Sequence, residues 1–245
     1  MGLLLLLLLS TLKAPARARI SGTVTEAGAT LDHALPLLAV VALDNAGIDT
    51  RGETTIEIPL GAYIDSDAGI TCCVSSWRRV DDNMIPARAK VNGLYVNNSL
   101  AKTEAQTNGF DEAILLNQDG HVSEGSGENI VLIRRGKLIT PPPADNVLEG
   151  ITLETIGQVA KDLGYEFEAR AIDRTELYIA DEVFMTGTAA HVTPVLSVDR
   201  VPVGDGNPGP VTRQLQRAYF DAITGRTPRY TEWLTPIFKE SAVRA

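Results

Sequence analysis

The chain has 245 residues, 44% of them hydrophobic, enough for a sizeable core. Its 31 acidic and 22 basic side chains leave a net charge of −9, the opposite of the basic footprint a nucleic-acid binder carries. The cysteines, Cys72 and Cys73, are adjacent, and the histidines, His33, His121 and His191, are scattered. A disulfide framework and a zinc centre are therefore not expected, and a reducing, cytoplasmic setting is.

The chain opens on a leucine run, Met1 to Ser10, with no positive residues before it. That run is too short to span a bilayer and reads as a low-complexity start to a cytoplasmic protein, with no membrane partner. Residues 1–50 show weak periodicity and no clear caps. Beyond residue 60 the punctuation sharpens. Ile70 to Ser76 reads as a buried strand, and Trp77 to Pro86 as a polar connection. Asn98 to Thr107 reads as a helix stopped by Asn108-Gly109. Glu112 to Asn117 and the segment from His121 form a hairpin about Asp119-Gly120. A second hairpin joins Asn129–Ile133 to Lys137–Thr140 through Arg135-Gly136. Thr152 to Leu163 has apolar residues Ile156, Val159, Ala160 and Leu163 at helical spacing, with Gly164 closing it. Strands follow at Glu166–Ala171, Glu182–Met185 and Val192–Val198. A last helix from Pro210 to Ile223 buries Val211, Leu215, Ala218, Tyr219 and Ala222. The mixture is α+β, with too little regular alternation for a doubly wound sheet.

Three segments stand out from ordinary core and loop. Lys90 lies between Ala89 and Val91, and a lysine in apolar surroundings loses part of its preference for the charged form and becomes nucleophilic. Without that context it reads as a solvated surface lysine, as Lys102, Lys137 and Lys161 do. Ser123 to Asn129 combines two glycines, which permit close approach of another group, with two carboxylates, Glu124 and Glu128. Leu148-Glu-Gly-Ile-Thr152 leads a glycine and a hydroxyl into a helix, a natural cradle for an anion, although Thr152 also reads as a plain N-cap. Met185 to Ala190 adds a second glycine–hydroxyl turn around Gly187 and Thr188.

In this order and spacing these segments resemble the branched-chain aminotransferases, members of the pyridoxal-phosphate (PLP) enzymes of fold type IV. The resemblance runs from Pro59 to Pro236. It includes PLGAYI at Pro59–Ile64, VSSWR at Val74–Arg78, the stretch from Lys90 to Tyr95, and ADEVFMTGTAA at Ala180–Ala190. It continues through PVGDG at Pro202–Gly206 and GPVT at Gly209–Thr212. The resemblance implies a class IV aminotransferase large domain at residues 61–245, preceded by a reduced, diverged N-terminal α/β region at residues 1–60. It implies PLP as cofactor, joined to Lys90 as a Schiff base, with Lys90 also moving the proton between the substrate's α-carbon and the cofactor. Glu124 is implied at the pyridine nitrogen and Tyr95 at the ring's phenolic oxygen. Leu148, Ile151, Thr152, Gly187 and Thr188 are implied around the cofactor, chiefly at its phosphate. Gly187 to Ala189 is implied at the substrate carboxylate and Tyr63 at the substrate side chain, with Glu128 in a supporting role.

The implied reaction is transfer of an amino group from a branched-chain amino acid to 2-oxoglutarate, by a homo-oligomer. D-amino-acid transamination and an aminodeoxychorismate-lyase-like elimination are alternatives on the same cofactor. The run from Gly187 through Pro194 favours the branched-chain type. A further alternative is an impaired remnant that only binds PLP or associates with a partner. The family's N-terminal domain carries a phosphate-clamping arginine, which Arg17, Arg19 and Arg51 do not clearly supply. The expectation is therefore oligomerisation, PLP affinity below that of full-length relatives, and low or absent activity.

Overall fold

The computed structural model describes residues 16–23, 53–60 and 68–235. The chain divides into two compact units, Met1–Tyr63 and Ile64–Ala245. In the first, strand β1 (Ala16–Thr23) pairs antiparallel with β2 (Glu53–Leu60), Ala16 opposite Leu60 and Thr23 opposite Glu53.

The second unit is built on β3 (Ile70–Arg78), β4 (Glu112–Leu116), β5 (Val122–Gly125), β6 (Asn129–Arg134), β7 (Lys137–Thr140), β8 (Glu166–Ala169), β9 (Glu182–Gly187), β10 (His191–Val198) and β11 (Val201–Pro202). Three helices join them: α1 (Tyr95–Thr107), α2 (Ile151–Asp162) and α3 (Pro210–Ile223). The strands form one mixed sheet in the order β5-β4-β3-β10-β9-β6-β7-β8, with β11 paired to β10. Both expected hairpins are present as the antiparallel pairs β4–β5 and β6–β7. The second turns through Arg135 and Gly136, both at positive φ, the backbone a two-residue hairpin turn needs to match strand twist.

Alternation along the strands decides what packs where. On β6, Ile130 and Leu132 enter one core with Ile114, Met185 and Val195. Val131 and Ile133 enter another with Ile156 of α2, Leu215 of α3 and Phe184. The helix α1 lays Ala101 and Ala105 on Ala113 and Leu115 of β4. Covered on both faces, β4 is buried at every position, so it reads as a continuous apolar run rather than an alternating one. The strand β5, at one end of the order, turns directly into β6, and the Gly125 amide donates to the Glu128 carbonyl at 2.7 Å. The sheet curls at that turn.

The α+β expectation holds, with local corrections. The strand β3 continues through Trp77 and Arg78, because Arg78 regains a partner in Leu116 after a register shift. The helix α1 begins at Tyr95, since a 3₁₀ turn at Asn92–Leu94 feeds straight into it. Leu163 is 39% exposed rather than on the buried face. It caps α2, and Gly164 at φ 87° then turns the chain away.

The start of α3 is held from far along the chain. The Glu182 carboxylate accepts the Val211 amide at 3.0 Å and the Thr212 amide and hydroxyl at 2.7 Å each. A Cβ at Gly209 would lie 2.0 Å from Glu182 Cδ, so only glycine fits there. Glu182→Ala leaves buried donors without an acceptor and is expected to cost about 2 kcal/mol. Urea unfolding reads this directly; an unchanged midpoint would mean that packing alone holds α3.

Candidate active site

Lys90, Tyr95, Glu124, Leu148, Ile151, Thr152, Gly187 and Thr188 all line one cavity of about 250 Å³. Ala189 sits on the same β9–β10 turn but is not part of the wall, and Tyr63 lies outside the described residues. A larger depression of about 1020 Å³ runs beside α2, lined by Leu153, Phe167, Trp233 and others. It gathers no comparable set of amine, phenol and buried carboxylate, so the chemistry belongs to the smaller cavity.

The apolar surroundings read for Lys90 are not what the fold provides. Lys90, Ala89 and Val91 are all exposed. Two 3₁₀ turns, Ala87–Ala89 and Asn92–Leu94, flank the lysine; they point Ala87 and Leu94 inward and leave Lys90 on the outside between them. What marks Lys90 is its backbone, at φ 48° and ψ 41°. A left-handed non-glycine residue costs on the order of 1–2 kcal/mol, and the two turns impose it.

Glu124 on β5 is 5% exposed and held from several directions. Its Oε1 pairs with Arg79 Nη2 at 2.7 Å, and its Oε2 accepts the Leu148 amide at 2.8 Å and, more weakly, Asn129 Nδ2 at 3.4 Å. Arg79 is 1% exposed. It also donates from Nη1 to Asn98 Oδ1 at 2.7 Å and from Nε to the Asn146 carbonyl at 3.0 Å. Asn98 in turn donates to the Ser126 carbonyl at 2.8 Å. Burial pushes the Glu124 carboxyl above its ordinary value, while Arg79, the Leu148 amide and Lys90 pull it back. The Tyr95 phenol, half-buried beside this group, is pushed up by burial and by Glu124.

Thr152 is not the cap of its helix. Gly150 is the N-cap of α2 and no side chain caps the helix. Thr152 is the second helical residue, and its side chain hydrogen-bonds Tyr219 instead. The first amides of a helix have no intrahelical acceptor and carry its positive end. A Cβ at Gly150 would fall 2.2 Å from Asn129 Oδ1, which is how closely this turn packs onto the Glu124 network. On the opposing turn, the Thr186 hydroxyl donates to the His191 carbonyl at 2.7 Å and ties β9 to β10.

The second acid of the glycine-rich segment, Glu128, also lines the cavity and is 7% exposed. Behind it stand Glu112, fully buried, and Lys102, whose Nζ lies 2.5 Å from Glu112 Oε2. Lys102 is thus not the solvated lysine its sequence context suggested. Arg79, Asn98 and Glu112 carried no sequence signal: Arg79 sits in a polar run, and Glu112 opens an ordinary strand.

With this geometry established, similarity to known proteins identifies the chain. The family described as amino-transferase class IV matches residues 40–198. The chain belongs to the class IV aminotransferases. The match reaches back past Pro59, where the motif resemblance begins. This class IV aminotransferase is 57% identical over 179 residues to a probable branched-chain-amino-acid aminotransferase of Aquifex aeolicus strain VF5, covering 73% of the chain and 58% of that relative. It resembles the T.th. branched-chain amino acid aminotransferase complexed with N-(5'-phosphopyridoxyl)-L-glutamate, with 48% identity and a TM-score of 0.68, covering 70% of this chain and 58% of that one. The same enzyme complexed with 4-methylvaleric acid matches at 49% identity and TM-score 0.68, covering 69% and 57%. The chain therefore spans about three-fifths of the length of the relatives it matches. Its large unit has the α+β fold of the fold-type-IV branched-chain aminotransferases. No helix among the described residues is long and apolar enough to cross a membrane.

Proposed function

We propose that the cavity binds pyridoxal 5'-phosphate and that the protein transfers amino groups from branched-chain amino acids to 2-oxoglutarate. The observation that carries this reading is one cavity holding an accessible primary amine, Lys90, and a buried carboxylate ion-paired to Arg79, Glu124. The donor set fits the cofactor. Thr152, Thr188 and the free amides opening α2 suit a phosphate. The Tyr95 phenol suits a ring hydroxyl, and Glu124 keeps lone pairs on both oxygens for a pyridine N–H. The phosphopyridoxyl-glutamate and 4-methylvaleric acid complexes of the T.th. enzyme support the cofactor and a branched acid as substrate.

When bound, the cofactor supplies an electron-withdrawing ring that stabilises negative charge at the substrate α-carbon. Lys90 Nζ would hold the cofactor covalently and would be the base that moves the proton at that carbon. Arg79 and the Leu148 amide favour the charged form of Glu124 against burial, and Glu124 is the group that would hold the ring nitrogen. The amides at Gly187, Thr188 and Ala189 receive the substrate carboxylate. In this reading residues 1–60 form a small domain and residues 61–245 the cofactor-binding domain of a cytoplasmic homo-oligomer. Exposed apolar side chains at Met84, Val91, Val96 and Leu100 support association.

Purified protein incubated with PLP should turn yellow. Borohydride should fix the label on Lys90; a label on Lys102 or Lys137 would overturn the assignment. Leucine with 2-oxoglutarate should give glutamate, whereas turnover of D-alanine alone would favour the D-amino-acid alternative. Glu124→Gln removes a charge-assisted hydrogen bond of about 1.5–3 kcal/mol. It should slow turnover roughly ten- to a hundredfold. Full rate in Glu124→Gln with loss in Glu128→Gln would mean the other carboxylate serves the ring.

A further inference from the structure

Two buried carboxyl groups meet at the cavity wall. Glu128, at the turn between β5 and β6, and Glu112, on β4, are both buried, and their carboxyl oxygens accept the successive amides of Gly127 and Ser126 at 3.0 and 3.3 Å, which sets the two groups side by side. Two buried carboxyl groups at one turn do not both ionise readily, because like charges without solvent between them repel. The donors around the pair decide which. Glu112 accepts from Lys102 Nζ at 2.5 Å, from the Ala113 amide at 2.8 Å and from the Ser126 amide at 3.3 Å. Glu128 accepts only a 3.0 Å bond from the Gly127 amide among the bonds resolved. The proton therefore belongs on Glu128, the carboxyl with the fewer donors.

Glu128 is also the member that faces the cavity. A Cβ on Gly187 would come within 3.9 Å of Glu128 Cγ, so the side chain lies against the β9–β10 turn. We propose that Glu128 and Glu112 share one proton at neutral pH, so that Glu128 is a positioning residue presenting a neutral carboxylic acid beside the turn that receives the substrate carboxylate. The choice of that turn as carboxylate site rests on the function proposed above. An ionised Glu128 there repels the incoming anion. It also sets two negative charges against each other at the turn whose Ser126 carbonyl holds Asn98 and, through it, Arg79.

The charged and titratable groups facing Glu128 come from three elements. Lys102 and Tyr95 belong to α1, Glu112 to β4, and the buried thiol Cys72 to β3. Burial first, and then Glu112, push the Glu128 carboxyl from 4.5 up to about 8, with Lys102 opposing. Because its folded value is raised, Glu128 contributes stability that is complete below pH 4.5 and lost as pH rises through about 8.

Infrared titration of the protein without added ligand tests this directly. A protonated-carboxyl stretch should persist at pH 7, disappear with a midpoint near 8, and be absent in Glu128→Gln. Absence of the band at pH 7, or its survival in Glu128→Gln, overturns the proposal. The wild-type titration alone decides it if the variant folds poorly. In kinetics, KM for 4-methyl-2-oxopentanoate, which has no titrating amine, should rise about tenfold per pH unit above the Glu128 midpoint. Glu128→Gln should abolish that rise, whereas Glu128→Ala, lacking the neutral hydrogen-bonding group, should have a high KM at every pH. A wild-type KM flat to about pH 9 would overturn the positioning role. If the band titrates as expected but no 2-oxo acid turns over, the functional reading fails while the shared proton stands.

Discussion

Lys90→Ala should abolish transamination, by more than about a thousandfold, while the chain keeps its fold. The amine has two tasks in the proposed reaction, covalent attachment and proton transfer, and the proton-transfer role alone is commonly worth about a hundred- to ten-thousandfold. The fold should tolerate the change because the Lys90 side chain is exposed and supports no core contact. Alanine inherits the left-handed backbone at φ 48° and ψ 41°, so the structural cost stays near that of the lysine itself. Steady-state rates with leucine and 2-oxoglutarate, beside a thermal melt, separate the two effects. Lys90→Gly relaxes the same backbone and should be at least as stable but equally inactive. Retained turnover in Lys90→Ala would remove Lys90 from the mechanism.

Arg79→Met should be the most destabilising single change at the site, at about 3–5 kcal/mol. Methionine restores much of the buried volume but leaves Glu124 without its 2.7 Å cation, and Asn98 Oδ1 and the Asn146 carbonyl without their donors. Glu124 then holds a proton to higher pH than it does beside Arg79. Its raised folded value means that the variant's deficit grows as pH rises. Combining Arg79→Met with Glu124→Gln removes the stranded charge and should recover a large part of the loss. Urea unfolding of both single variants and the double variant gives the coupling energy. Strict additivity would show that Arg79 and Glu124 act independently, contrary to their geometry.

Much of the site was legible because its motifs are local. Ser123 to Asn129 and Leu148 to Thr152 each pair glycine with a polar group inside a few residues, and such segments declare themselves without a fold. Arg79 was not legible. It follows Arg78 in a polar run, and nothing nearby distinguishes a guanidinium fully buried against Glu124 from a solvated one. Lys102 and Glu112 carry no better local signal: one is a lysine on a helix, the other an acid opening a strand. Lys90 was picked out by a feature the fold does not use: its apolar neighbours are exposed, and the distinction lies in the backbone between two 3₁₀ turns.

The sequence by itself determined the elements and their faces. Side-chain alternation on β6 and helical spacing on α2 set which residues are buried. Gly109, Gly136 and Gly164, all at positive φ, set where the chain turns, because these choices depend only on neighbours a few positions away. Tertiary structure alone decided the charge pairings. The order β5-β4-β3 and the curl at the β5–β6 turn bring Arg79 to Glu124, and Glu112 to Glu128. In water each of these groups is solvated and unremarked. Once the sheet excludes water, an ionised group without a partner costs several kcal/mol, so the fold has to supply a counter-ion or a proton at each carboxyl.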